Sequence, residues 1–295
     1  MSLANSALRR SEAKWGFLYA APAMAFIIAF VGYPLGSLVY HSFTKWDGLS
    51  EPKWIGLHNF GTLLSDPVFR NALINNCLFA LTVPLQVTVP LALAYLIHRQ
   101  LPGWRWFRTM FFLPAILSTV VVGLIASLVL QLKGPLNEVL SAVGLQSLTH
   151  DWLASSKTSI PMIILVVFWA NFGYNVLIYL DGMSVIDPSM REAALIDGAR
   201  NWTILTRIYA PNLRRVMELV LVTSTVTAFA YMFTYVYTIT NGGPGYSTYT
   251  TEFYAYSQAF ASQNLGYASA VGLALMLLLS AIGFIQIRLL TRDER

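Results

Sequence analysis

The chain has 295 residues, of which 56% are hydrophobic and only 11% are charged. A soluble domain of this size carries roughly a quarter charged residues because its surface faces water, so the composition excludes an ordinary soluble protein. The net charge of +5 does not indicate nucleic-acid binding, since no basic patch is interleaved with exposed aromatic residues. The excess basic residues lie instead in short loops beside apolar runs, where they set membrane topology.

Six apolar stretches are long enough to cross a bilayer, because a span needs about 20 mostly apolar residues. In chain order we predict spans over residues 15–40, 72–97, 107–130, 160–180, 217–239 and 265–290. Arg9, Arg10 and Lys14 before the first stretch are also typical of a signal peptide, but the apolar run continues past the length of a normal signal sequence. We therefore interpret it as an uncleaved first span.

The distribution of Lys and Arg predicts the orientation of these spans. Fourteen of the 19 lie in the N-terminal tail, in the connections 99–108 and 181–215, and at the C-terminal end, whereas five lie in the loops of the other side. Because short cytoplasmic loops carry the excess of basic residues, both termini are predicted to be cytoplasmic. An even number of spans satisfies this arrangement. We call the side with fourteen basic residues the basic end.

No Asp, Glu, Lys or Arg lies near the centre of a predicted span. A charge buried there costs on the order of 2.5–3.5 kcal/mol, so proteins keep one for use, as proton-coupled carriers do. The chain also lacks a G-x-x-x-x-G-K-[ST] phosphate loop, and its single cysteine and four histidines show no metal-ligand spacing. The sequence therefore predicts no catalytic residue, metal or cofactor on this chain, and an energy source on a partner.

The connection between the fourth and fifth spans, residues 184–213, has a regular pattern. Asp187 can cap a helix with Pro188 at its first position, strong helix formers follow, and Gly198 permits the left-handed turn that ends a helix. A short helix with small residues on one face suits a cleft of another protein. An amphipathic helix resting on the bilayer surface is the alternative that these residues leave open.

Two motifs carry a resemblance to a known family. Glu192-Ala193-Ala194, then Gly198, then Ile-Tyr-Ala-Pro at 208–211 resembles the E-A-A, G and I-x-L-P signature of binding-protein-dependent ABC importer permeases. Ala210 stands where that family usually has Leu. The sequence Asn-Gly-Gly-Pro at 241–244 is similar to a turn of the carbohydrate-uptake type, which includes the maltose and glycerol-3-phosphate permeases.

The resemblance implies a type I ABC importer transmembrane domain over residues 71–292, preceded by a tail, first span and external loop over 1–70. It further implies a second related permease, a cytoplasmic ATPase dimer that binds ATP and Mg, and a periplasmic or lipid-anchored solute-binding protein. The protein is then expected in a bacterial or archaeal cytoplasmic membrane. The residues that the resemblance assigns to coupling with the ATPase are Glu192, Ala193, Ala194, Asp197, Gly198 and Ala199.

A sugar-like solute needs hydrogen-bonding groups and aromatic faces within the bundle. Spans four and five line the solute site in related permeases, and both offer such side chains, with Tyr231, Thr234 and Tyr235 close to the second set. The candidates at helical spacing are Asn171, Tyr174 and Asn175 in span four, and Thr225, Phe229 and Met232 in span five. The alternative for each residue is packing, because polar side chains in membrane helices often bond to neighbouring helices.

Two other classes of protein are consistent with an apolar bundle. A secondary carrier working alone would need ion-coupling groups and inverted repeats, and the sequence shows neither. A membrane enzyme would need clustered Asp, His or Glu at one face, whereas His41, His58, His98 and His150 are scattered. The sequence therefore favours a non-catalytic permease subunit for a sugar or related polyol.

Overall fold

The structure, a computed structural model, describes residues 19–99 and 104–292. The basic residues predicted to precede the first span, and Trp15 at its predicted start, lie outside the described residues. So do residues 100–103 of the predicted basic connection 99–108 and residues 293–295 of the C-terminal end.

Within the described residues, four continuous helices are long and apolar enough to cross a membrane: Tyr19–Ser42, Pro67–His98, Ser159–Ser184 and Leu265–Leu290. Two helix pairs meet the same criteria when their halves are combined, namely Thr109–Ile116 with Thr119–Val129 and Arg214–Ala230 with Phe233–Ile239. With each pair counted as one span, the prediction of an all-helical membrane protein with six spans is confirmed. We number the spans one to six in chain order.

Spans three and five, predicted over 107–130 and 217–239, are each broken into two helices. Span three bends by 114° between Ile116 and Thr119, and span five bends by 51° between Ala230 and Phe233. In span three the backbone of Ser118 is extended, and its hydroxyl accepts a hydrogen bond from the Val121 N–H at 3.4 Å, which starts a new helix.

Shorter elements connect the spans at both ends of the bundle. Away from the basic end, Thr44–Lys45 pairs antiparallel with Lys53–Trp54, and the helices there are His58–Ser65, Pro135–Ala142, Gln146–Leu148, Thr251–Tyr256 and Ser257–Ala261. At the basic end the helices are Pro188–Ile196, Asn201–Ile204, Leu205–Tyr209 and Ala210–Asn212. Pro211, the last residue of the Ile-Tyr-Ala-Pro motif, lies in the short helix Ala210–Asn212, and span five begins at Arg214.

Three clusters of buried apolar side chains hold these elements together. The first cluster joins spans two, three, four and five to residues 204–213, with Tyr179, Met183 and Leu213 among its fully buried members. The second cluster joins spans two, three, four and five around Ile163 and Met232. The third joins spans two and six to the helices His58–Ser65 and Thr251–Tyr256. Spans two, three, four and five each contribute to both large clusters and form the centre of the bundle.

Candidate functional site

The helix Pro188–Ile196, which we call the connecting helix, starts where the sequence predicts. The carboxylate Oδ1 of Asp187 accepts a hydrogen bond from the Ser189 N–H at 2.9 Å. This bond holds the pKa of the Asp187 carboxyl below its usual value. No residue of the connecting helix is buried, so the helix lies on the surface at the basic end.

The connecting helix ends in a left-handed turn at Gly198, whose φ is +76°. The Gly198 N–H donates to the Leu195 carbonyl at 3.1 Å, and the Ala199 N–H donates to the Ala194 carbonyl at 2.9 Å. Together these bonds form a Schellman motif. Because Ala194 and Ala199 also pack against the first cluster, this turn fixes the connecting helix to the bundle.

The predicted coupling residues separate into an exposed group and an anchoring group. Glu192, Ala193, Asp197 and Gly198 are exposed, whereas Ala194 and Ala199 are half-buried. Large apolar side chains accompany the exposed group: Met190, Leu195 and Ile196, the last with 86% of its surface exposed. The connecting helix therefore presents a mixed apolar and acidic face away from the bundle.

A cavity of about 650 Å³, which we call the central cavity, lies where the breaks in spans three and five meet span four. Its lining residues are Thr119, Asn171, Tyr174, Thr227, Ala230, Tyr231, Phe233, Thr234 and Tyr235. The lining includes four aromatic rings, six hydroxyl groups of threonine and tyrosine side chains, and one amide. The cavity therefore offers hydrogen-bonding groups next to the faces of aromatic rings. None of the lining side chains carries a charge.

Of the three candidates in span four, two lie at the central cavity. Asn171 is half-buried and Tyr174 has 57% of its surface exposed. Asn175 has only 3% exposed, and its Nδ2 donates at 3.3 Å to both the backbone carbonyl and the side-chain Oε1 of Gln86 in span two. Asn175 therefore takes part in helix packing and does not line the cavity.

The three candidates in span five are all buried away from the central cavity. Thr225 donates to the Leu221 carbonyl at 2.8 Å and accepts from Gln286 Nε2 of span six at 2.9 Å. Phe229 and Met232 belong to the second cluster. Their predicted common stripe faces neighbouring helices, and the opposite stripe of span five lines the cavity.

Thr119 and Thr227 are cavity residues that the sequence did not single out. Thr119 follows the unexpected break in span three, and its side chain approaches the hydroxyl of Tyr235, as does that of Asn171. Thr227 lies two positions from both Thr225 and Phe229 of the predicted stripe in span five. The cavity forms at the two helix breaks, so a sequence analysis that does not predict the breaks cannot predict the cavity.

Among residues 19–99 and 104–292, no group of three or more His, Cys, Asp and Glu side chains is arranged to hold a metal ion. Cys77, in span two, is a free thiol. The chemistry available at the central cavity is therefore hydrogen bonding and contact with aromatic rings.

The chain matches a model of a known protein family over most of its length. The family described as binding-protein-dependent transport system inner membrane component matches residues 60–295. A probable ABC transporter permease of Bacillus subtilis is 34% identical over 92% of this chain and 94% of its own. The lactose transport system permease of Rhizobium radiobacter is 34% identical over 96% of both chains.

Two solved structures have the same fold. A chain of a bacterial ABC transporter that imports the acidic polysaccharide alginate superposes with a TM-score of 0.83 at 23% identity, over 98% of this chain and 99% of that chain. A second alginate transporter structure, solved with a periplasmic protein bound to an alginate pentasaccharide, superposes with a TM-score of 0.81 at 22% identity. It covers 95% of this chain and 94% of the other.

Proposed function

The chain belongs to the inner-membrane components of binding-protein-dependent transport systems, the permease subunits of ABC importers, and from this premise we propose that it forms half of the pathway for an uncharged sugar or related polyol. A second permease completes the pathway, and an ATPase dimer that binds ATP and Mg supplies the energy. A periplasmic or lipid-anchored binding protein delivers the solute. The complex resides in a bacterial or archaeal cytoplasmic membrane.

The observation that carries this proposal is the connecting helix, anchored on one side and exposed on the other. The half-buried Ala194 and Ala199 hold it to the first cluster, so a displacement of the helix is passed to the four spans that this cluster joins. Glu192 and Ile196 lie on the exposed side and suit a groove of a partner protein. The same cluster joins this helix to span four, which lines the central cavity.

The central cavity supports a sugar-like solute. Sugars are bound by hydrogen-bonding groups together with aromatic faces, and Tyr174, Tyr231 and Asn171 offer both. Relatives carry names that include lactose and arabinooligosaccharides, and also sn-glycerol-3-phosphate. Because none of the lining side chains is a cation that could pair with a phosphate or carboxylate, this half of the pathway favours an uncharged solute.

A test of the coupling role uses Glu192→Ala and Gly198→Asp in the complete importer. Both variants should insert and assemble normally, but ATP hydrolysis stimulated by solute-loaded binding protein should be lost, because the altered helix no longer fits the ATPase. Stimulated hydrolysis and uptake are measured in proteoliposomes. Normal uptake by the Gly198→Asp variant would contradict the proposal, as would accumulation of a solute against its gradient by the purified chain alone.

A test of the solute class compares uptake of radiolabelled lactose and sn-glycerol-3-phosphate by cells that contain the complete importer. Unlabelled neutral oligosaccharides should compete for uptake, and sn-glycerol-3-phosphate should neither enter nor compete. Uptake of the phosphate ester as efficiently as of a neutral sugar would contradict the preference for uncharged solutes, while leaving the permease role intact.

A further inference from the structure

The break in span five lacks one specific backbone hydrogen bond. In a continuous helix the Met232 N–H would donate to the Ala228 carbonyl four residues earlier. At the break this bond is absent, and each group has another partner. The Met232 N–H donates to Oε1 of Glu252 at 3.1 Å, and the Ala228 carbonyl accepts from Nδ2 of Asn76 at 2.8 Å.

The two side chains that replace the helical bond come from different elements and contact each other. Asn76 belongs to span two, and Glu252 belongs to the helix Thr251–Tyr256 that follows span five. Asn76 Nδ2 lies 3.4 Å from Glu252 Oε2, and Asn76 Oδ1 accepts from both the N–H and the hydroxyl of Thr251, at 2.8 and 3.0 Å. Span two and the helix after span five are thus joined at the break.

The hydrogen-bond network at the break is shielded from solvent, so water cannot readily take the place of its side chains. Asn76 and Met232 are fully buried, and Ala228 has 4% of its surface exposed. A buried backbone N–H or carbonyl without a partner is costly, so the break is stable only while both side chains are in place. The carboxyl of Glu252 is itself mostly buried, and this burial raises its pKa, opposed by the hydrogen bonds from Met232 and Asn76.

The network lies directly behind the wall of the central cavity. Ala230, Tyr231 and Phe233, on either side of the break, line the cavity, and Met232 between them turns its backbone N–H to Glu252. Tyr231 has 65% of its surface exposed, so few neighbouring side chains fix its ring. The position of the ring therefore depends mainly on the backbone conformation at the break. The side chain of Glu252 therefore determines the direction in which this part of the wall faces.

We propose that Glu252, with Asn76, is a positioning residue for the translocation pathway: it holds the break of span five open and thereby places Tyr231 in the cavity wall. The inference rests on the proposed function, because it takes the central cavity to be the pathway. Its consequence is that the segment 241–263, between spans five and six, is mechanically joined to the solute cavity. A displacement of this segment then moves the wall.

The length of the side chain at position 252, and not its charge, is the property that this role requires. Glu252→Gln keeps an acceptor oxygen at the same reach, whereas Glu252→Asp keeps the charge but withdraws it by one methylene group. The purified full chain in nanodiscs is compared by amide hydrogen exchange in peptides that cover residues 228–236. The Met232 amide should exchange about tenfold faster in Glu252→Asp and at an almost unchanged rate in Glu252→Gln.

A second measurement reports the position of the wall. In a Cys77→Ala background, Tyr231→Cys is labelled with a soluble maleimide, and its labelling rate should change severalfold when Glu252→Asp is added but not when Glu252→Gln is added. Asn175→Leu serves as the control, since it removes a buried interhelical bond to Gln86 that involves neither Asn76 nor Glu252. It should lower stability without changing either readout at residues 231 and 232.

The proposal is overturned by equal Met232 exchange in the Asp and Gln variants, by an unchanged labelling rate at position 231, or by the same changes in Asn175→Leu. Neither readout requires solute, ATPase or binding protein. A failure of this inference is therefore distinguishable from a failure of the proposed transport function, which the uptake and ATP hydrolysis measurements test.

Discussion

A Cβ atom placed on Gly173 would lie 2.0 Å from the carbonyl oxygen of Phe111. The first half of span three therefore rests directly on the backbone of span four, and no side chain fits between them. Gly173→Ala should destabilise the protein by about 1–3 kcal/mol through overpacking and lower its thermal unfolding temperature in detergent. Gly283→Ala, in span six where a Cβ meets no atom within 4 Å, is the control and should leave that temperature unchanged.

The number and positions of the spans were predictable, whereas the breaks were not. Span four was predicted over 160–180 and forms Ser159–Ser184, because a long apolar run identifies a span from its length alone. Span three has an equally apolar sequence, yet it bends by 114°. The bend depends on a cap at Ser118 and on contacts with span four, which hydropathy does not report.

The solute candidates show a second limit of sequence patterns. Helical spacing correctly groups residues by face, but it does not indicate which face is turned to the pathway. Asn171 and Tyr174 line the central cavity, whereas Asn175, one residue further, meets Gln86. In span five the predicted stripe of Thr225, Phe229 and Met232 is buried because span five packs against spans two, three, four and six.

The turn at Gly198 has a close counterpart at Gly144, which allows stability and coupling to be separated. Gly144 has φ +83°, and the Gly144 and Leu145 N–H groups donate to the Ser141 and Leu140 carbonyls in the same Schellman pattern. A Cβ at either glycine meets no atom within 4 Å. Each substitution to Ala should therefore lower the free energy of unfolding only by the cost of holding Ala in the left-handed backbone conformation, about 1 kcal/mol.

We expect Gly198→Ala and Gly144→Ala to lower the unfolding temperature by similar amounts. Only Gly198→Ala should reduce ATP hydrolysis stimulated by loaded binding protein, because only that turn sets the direction of the connecting helix. The two activities are compared in proteoliposomes at equal amounts of assembled complex. A similar loss of stimulation in Gly144→Ala would show that general destabilisation, and not coupling, is the cause.

Tyr174 and Asn175 are adjacent in sequence but should respond differently to substitution. Tyr174→Ala removes an exposed ring from the central cavity and should raise the half-saturating solute concentration for uptake about tenfold, as expected for the loss of one aromatic contact. Its unfolding temperature should stay close to that of the wild type. Uptake kinetics in proteoliposomes and thermal unfolding in detergent provide the two measurements.

The neighbouring substitution Asn175→Leu should give the reverse result. It removes the bond to Gln86 between spans two and four, so we expect a loss of stability of about 1 kcal/mol with an unchanged half-saturating concentration. If Asn175→Leu changed the apparent solute affinity and Tyr174→Ala did not, the assignment of the cavity-facing side of span four would be wrong.

Asp66 should make the stability of the protein depend on pH in the acid range. Its Oδ2 accepts from the hydroxyls of Tyr254 and Tyr267, and its Oδ1 accepts from the backbone N–H groups of Val68 and Phe69. Burial acts to raise the pKa of this carboxyl, but the hydrogen bonds outweigh burial, and the pKa lies below its ordinary value of 3.8.

A carboxyl with a depressed pKa in the folded state stabilises that state above the unfolded pKa, and this stabilisation is lost as the pH falls through the folded pKa. The wild type should therefore unfold at a higher temperature than Asp66→Asn at neutral pH, by an amount that corresponds to about 1 kcal/mol. Below pH 3.8 the difference should shrink, because the wild-type carboxyl also becomes neutral.

Glu51→Gln, an exposed acid-to-amide change in the same external loop, is the control and should show no such convergence. A difference between wild type and Asp66→Asn that stays constant from pH 7 to pH 3 would exclude the ionised carboxylate as the stabilising group and leave only the shape of the side chain.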